Sequence, residues 1–339
     1  MITATDGQNL GHCVSANPDI SGVGIRLSIY GQVFFNVAFA LISPPDATRS
    51  HPEHVILAAS SRSLFLTGCA LLICAFYQGS VQRLTVHHTL IVLNLNWIIY
   101  FSALLHIFTR LCQVIFRSSR IHRTPPRRLP SLGGSPAPSM GSPTEPAADV
   151  ENLRSVWQFL LLPAIHLSAL GSLGILLWTQ VQSFGDQPEC TPHTVLTVFG
   201  SSYSVLDETI RRGSMAIYWV VAIPLLNVLV TGVPVFMAVA VMALALWTAK
   251  RVTRRRLLSW DVFVRCSGIT ALSMLLVLFI SNTELMIARG VHTSLVGAGE
   301  EQWTFGQTLA LISCLVQMVE MVKALYTWRV DRGGGRLRR

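Results

Sequence analysis

Charge is what this sequence has least of: Asp, Glu, Lys and Arg together make up 13% of its 339 residues, against about a quarter in a soluble domain. That deficit points to lipid. The net charge of +9 does not imply nucleic acid, because the arginines cluster between apolar stretches and form no basic face interleaved with aromatics. No nucleic-acid partner is expected. The seven cysteines include no CxxC pair and no zinc spacing, so no metal site is read from them. There is no Asn-x-Ser/Thr acceptor. The first twelve residues have neither a basic n-region nor an apolar core, so the chain is expected to keep its own N-terminus.

Catalytic patterns are missing too. HExxH, HxxxH and GxSxG do not occur, and the "HPEH" of His51 and His54 could join His87 or His88 on a metal only if loops on opposite membrane sides met. A haem would need facing histidines at matched depth. His106 and His166 differ by roughly 9 Å at 1.5 Å per residue. A retinal site would need a mid-span lysine, whereas Lys323 lies at a helix end. The chain is expected to be no enzyme, to have no catalytic residues and to carry no cofactor.

What the sequence does hold is apolar runs. A membrane-spanning helix needs roughly 20 mostly apolar residues, since only a helix satisfies all its backbone groups within one segment. Seven runs qualify, near Gly22–Leu41, Val55–Tyr77, Thr89–Phe108, Val156–Trp178, Met215–Trp247, Val262–Ser281 and Thr304–Tyr326. The fifth is long for one span, and Pro224 and Pro234 predict a kink or tilt. The expected fold is therefore all-α, a polytopic seven-helix membrane bundle.

Basic residues set its direction, because they stay in cytoplasmic loops. With the N-terminus outside and the C-terminus inside, all but Arg26, Arg83, Arg211, Arg212 and Arg289 of the 26 Lys and Arg fall on the cytoplasmic side. This divides the chain into an outer tail (1–21), helices one to three (22–116), a loop (117–152), helices four to seven (153–326) and a basic tail (327–339). The Pro, Ser, Gly and Arg content of the loop predicts disorder. The lipid bilayer is the first partner. Anionic headgroups are expected at the basic cytoplasmic loops, and a basic inner surface also suits a cytoplasmic protein partner.

Polar groups inside spans are the strongest functional pointers, because each is costly to bury unpaired. Glu320 shares a helical stripe with Gln317 and could face the bundle interior as a cation site, or pair with Lys323 one turn on. Span three places Asn94 and His106 on one side, suited either to a wet cavity or to bonds between helices. His166 follows Pro163 in span four. Cys13 and Cys190 are the only cysteines outside the spans on the non-cytoplasmic side. That compartment permits a disulfide, although a cysteine on a tail need not meet one in a loop.

The segment "NPDISGVGIRLSIYGQ", with the later "NTELMIARG" and "WTFGQTLALIS", resembles a large group of predicted fungal multi-pass membrane proteins. The resemblance runs from Asn17 to Leu325 and implies the architecture but no particular activity. It also directs attention to one depth of the membrane. Asn17, Asp19, Arg26 and Gln32 at the outer part of span one, Glu284 after span six, and Trp303 and Gln307 entering span seven should lie at similar depth. Arg26 is expected either to pair with Asp19 or Glu284 or to snorkel to the interface. Gly22 and Gly24 lack the third glycine of a phosphate loop; Pro18, Asp19 and Ser21 read as the start of a helix. The topology suits a receptor or sensor. A transporter or channel would use a polar path near Glu320, and a scaffold would have no ligand.

Overall fold

A computed structural model of the chain describes residues 13–42, 52–81, 83–121, 145–224 and 260–336 apart from 294, 298 and 301, with isolated positions between 226 and 248. Its helices are α1 (Pro18–Ser21), α2 (Val23–Ile42), α3 (Pro52–Ser80), α4 (Val86–Ile121), α5 (Glu145–Thr179), α6 (Glu208–Ala222), α7 (Trp260–His292) and α8 (Phe305–Arg336). Six segments among the described residues are long and apolar enough to cross a membrane: Pro18–Ile42, Ala59–Ser80, Val86–Thr109, Leu161–Thr179, Arg265–His292 and Phe305–Lys323. Large apolar side chains such as Phe34, Leu66, Ile73, Met274, Val277 and Val316 stay exposed on them. Water would penalise so much exposed apolar surface; acyl chains accept it. The chain is a multi-pass, predominantly helical membrane protein.

About half of the run expected to be span five, Met215–Trp247, lies outside the described residues. Its beginning is α6, capped by Asp207, whose carboxylate accepts from the N–H groups of Thr209 (2.8 Å) and Ile210 (3.1 Å). The helix ends where Ile223 turns extended (φ −82°, ψ 114°). The next residue is Pro224, whose ring disfavours helical geometry in the residue before it.

α4 is the central helix, 78% buried over its apolar window, and packs against α2, α3, α5 and α7. Trp97 and Phe101 stack on it (5.6 Å), and Phe279 of α7 lies 5.0 Å from Phe101. α8 is peripheral, with 17% of its window buried, resting on α2 and α3. Small residues allow the close crossings. A side chain on Gly171 would meet the Ala222 backbone at 2.5 Å, and one on Gly268 the Phe108 ring at 2.0 Å.

The polytopic all-α class fits, with two details the sequence reading lacked. At the edges of 117–152, α4 continues to Ile121 and α5 begins at Glu145, while the rest lies outside the described residues. Bilayer thickness limits an apolar run, but a helix satisfies its own backbone and can continue into water. A small hairpin also joins the helices. Strands β1 (Val195–Val198) and β2 (Ser201–Ser204) form an antiparallel hairpin. Phe199 and Gly200 turn it with φ of 50° and 79°, the left-handed pair of a tight two-residue hairpin turn. Arg289 anchors the turn, donating to the carbonyl oxygen of Gly200 (2.7 Å) and to Thr197 Oγ1 (3.1 Å).

Candidate functional site

The N-terminal segment folds over one end of the bundle, called here the capped end. Its backbone first joins the loop between α7 and α8. Val14 donates to the carbonyl of Leu295 (2.6 Å) and accepts from the N–H of Gly297 (2.8 Å). Cys13 is disulfide-bonded to Cys190, with Cα atoms 5.6 Å apart. Tail, hairpin-side loop and α7–α8 loop are thereby stapled together before the chain enters α2.

Glu300 is the centre of the cap. Ser21 Oγ donates to its Oε2, the N–H of Asn17 to Oε1 (3.3 Å), and His88 Nε2 lies 2.6 Å from Oε1. Behind the imidazole, Thr85 Oγ1 is 2.8 Å from Nδ1, and Asn17 Nδ2 reaches Gln78 Oε1 at 2.7 Å. Burial alone would push the Glu300 carboxyl up. The His88 bond and charge, with the Ser21 and Asn17 bonds, outweigh it and hold the group down from 4.5 to about 2. One carboxylate thus joins α1, α4 and the α7–α8 loop.

Gln307 builds the adjoining joint. Its Oε1 accepts from the N–H of Gly24 (2.8 Å), and its Nε2 donates to the carbonyls of Pro18 (3.1 Å) and Gln302 (2.8 Å). A Cβ on Gly22 would stand 2.3 Å from that Nε2, and one on Gly24 would stand 2.6 Å from Gln307 Cβ. The two glycines make room for a glutamine. Arg26 completes the row: Nε donates to the Ser21 carbonyl (2.8 Å), and Nη1 pairs with Glu284, whose other oxygen accepts from Tyr30 (2.8 Å). The Arg26 side chain is 13% exposed and that of Glu284 44%, so the pair sits at the edge of the cap.

Of the residues expected at this depth, the structure brings together Arg26, Glu284 and Gln307. Asp19 does not pair with Arg26. It is exposed, near Gly306 in the first turn of α8. Gln32 lies deeper, its Nε2 donating to Ser28 Oγ (3.2 Å) while Ser28 reaches the Ala310 carbonyl (2.7 Å). Asn17, also expected at this depth, bonds to Glu300 and Gln78. Glu300, His88 and Gln78 were not anticipated as site residues; they come from three separate segments, and no spacing in the sequence links them.

The polar groups within the bundle join helices. Ser60 donates to Asn36 Oδ1 (2.6 Å) and Asn36 to Ser102 Oγ (3.0 Å), tying α2, α3 and α4. His166 Nε2 lies 2.9 Å from Asn96 Oδ1. Gly68 of α3 makes the space, since a Cβ there would be 2.7 Å from that nitrogen. Asn94 and His106 lie on α4, His106 fully buried. Gln317 is half-buried, its amide atoms without a partner among the described residues. An interior placement of Glu320 is not what the structure has. Its side chain is 59% exposed, on the outer face of α8, and accepts from Lys323 Nζ (2.8 Å). At i and i+3 near the end of the membrane-crossing segment, though not of the helix, both long side chains reach away from the apolar interior.

Among the described residues no group of three His, Cys, Asp or Glu side chains could hold a metal ion; the side chains of His51 and His54 lie outside them. The fold and its capped end define a multi-pass α-helical membrane protein. No family model, curated protein or solved structure matches the chain.

Proposed function

We propose that the chain is a seven-span integral membrane protein, N-terminus outside and C-terminus cytoplasmic, acting as a receptor or sensor without a catalytic step of its own. The seven apolar runs and the distribution of basic residues support the orientation. The Cys13–Cys190 bond agrees with a capped end in an oxidising compartment. In this arrangement the basic loops and tail face anionic headgroups and a cytoplasmic protein partner.

One observation favours sensing over transport: Glu320 is paired on the outside of the bundle. The interior side chains of Asn36, Ser60, Ser102, Asn96 and His166, by contrast, are engaged in bonds between helices. A path for ions needs charged or wet groups in sequence through the middle, and no described carboxylate lies there. The full chain in sealed liposomes is expected to pass protons and alkali cations no faster than protein-free liposomes. A flux abolished by Glu320→Gln would replace this reading with a transporter or channel.

A further inference from the structure

The end of the bundle opposite the cap has a cavity of about 360 Å³ between α3, α4 and α5, with Ser61, Arg62, Phe65, Ala103, Leu161 and Ile165 among its walls. That volume is in the range of small-molecule pockets. Its depth follows from Arg62, a charged side chain on a membrane-crossing helix at the end away from the cap, which reaches toward the headgroups.

It also opens sideways. Leu161 and Ile165 at its mouth are 57% and 55% exposed on a helix that crosses the membrane, so the surroundings they meet are acyl chains. Inside, the walls are mainly apolar, with the Phe65 ring and the small Ala103 leaving the space. Three polar residues break the pattern: Arg62, Ser61 and the buried His106. Arg62 is exposed, and no described carboxylate pairs with it. Ser61 is 5% exposed, and its buried Oγ has no partner among the described residues. A cation and an unused hydroxyl beside an apolar slot open to lipid are complementary to an amphiphilic anion.

We propose that this cavity holds one acyl chain of an anionic glycerophospholipid whose phosphate is bound by Arg62 and Ser61. The inference depends on the membrane-crossing helices but not on the number of spans or on a sensing role. Its failure would leave both of those intact.

The test is binding of phosphatidylserine and of phosphatidylcholine to the purified full chain in mixed micelles, with inorganic phosphate as competitor. Phosphatidylserine is expected to bind preferentially and to resist phosphate. Arg62→Gln should weaken it about tenfold, the value of one charge-assisted phosphate contact. Ala103→Phe, which fills the slot, should weaken it comparably with Arg62 intact. If Ala103→Phe does not yield folded protein, Ile165→Trp at the exposed mouth serves in its place. Equal binding of the two lipids, indifference to Arg62→Gln, or indifference to the slot-filling variant would each overturn the proposal. Displacement by inorganic phosphate at the same concentration as lipid would make this a free-anion site and overturn it equally.

Discussion

Replacing Glu300 by alanine removes a carboxylate whose side chain is 11% exposed and strands three donors, on Asn17, Ser21 and His88. Two routes give the size of the effect. Leaving buried hydrogen-bonding groups without their partner costs about 1–3 kcal/mol. Holding a carboxyl at about 2 instead of 4.5 is worth about 3 kcal/mol by linkage. The melting temperature of the full chain in detergent should fall by about 5–10 °C. Arg212→Gln is the control, because its pair with Glu208 is more than two-thirds exposed on both sides and should matter by less than about 0.5 kcal/mol. The sign with pH is fixed. A carboxyl held low in the folded state gives stability that is complete just above 4.5 and is lost as pH falls toward 2. The wild-type advantage over Glu300→Gln should shrink across that window. If Glu300→Ala destabilises no more than Arg212→Gln, the cap is not held through this carboxylate.

Three further outcomes follow from the same geometry. Gly24→Leu should cost about 1–3 kcal/mol by overpacking, because its Cβ would stand 2.6 Å from that of Gln307; chemical unfolding measures it. Gly68→Ala should destabilise by a similar amount, and truncating His166 in that background should recover part of the loss, as a double-mutant cycle would register. Cys13→Ser should lower stability by at most about 5 kcal/mol on the chain-entropy account of a long loop. The loss should be less because lipid-held helices already confine the unfolded chain, and a reducing agent should reproduce the effect in wild type and leave the variant unchanged.

Much of the scaffold was legible because a bilayer imposes one simple rule. Apolar runs long enough to cross it must be helical, and six described helices carry such windows. Helix ends were less legible, since α4 and α5 continue into polar sequence where no apolar run marks them. The hairpin was missed, although "VLTVFGSSYS" combines a β-branched run with a glycine turn. At the cap, Arg26 and Gln307 stood out as polar residues at the edge of apolar runs, and two acids were open to Arg26. The fold brings Glu284 to it from α7 and leaves Asp19 exposed. Glu300 was illegible because an acid in a polar loop looks ordinary. Its importance arises from the tail folding across that loop, a contact between residues 279 apart for Ser21.

The most direct test of the account is the side of the membrane on which each terminus lies. Epitope tags placed before Met1 and after Arg339 would be probed with protease in intact and permeabilised cells or vesicles. Seven spans in the proposed orientation predict that the N-terminal tag is cut from the non-cytoplasmic side while the C-terminal tag is cut only from the cytoplasmic side. Both tags on the same side would mean an even number of spans and contradict it.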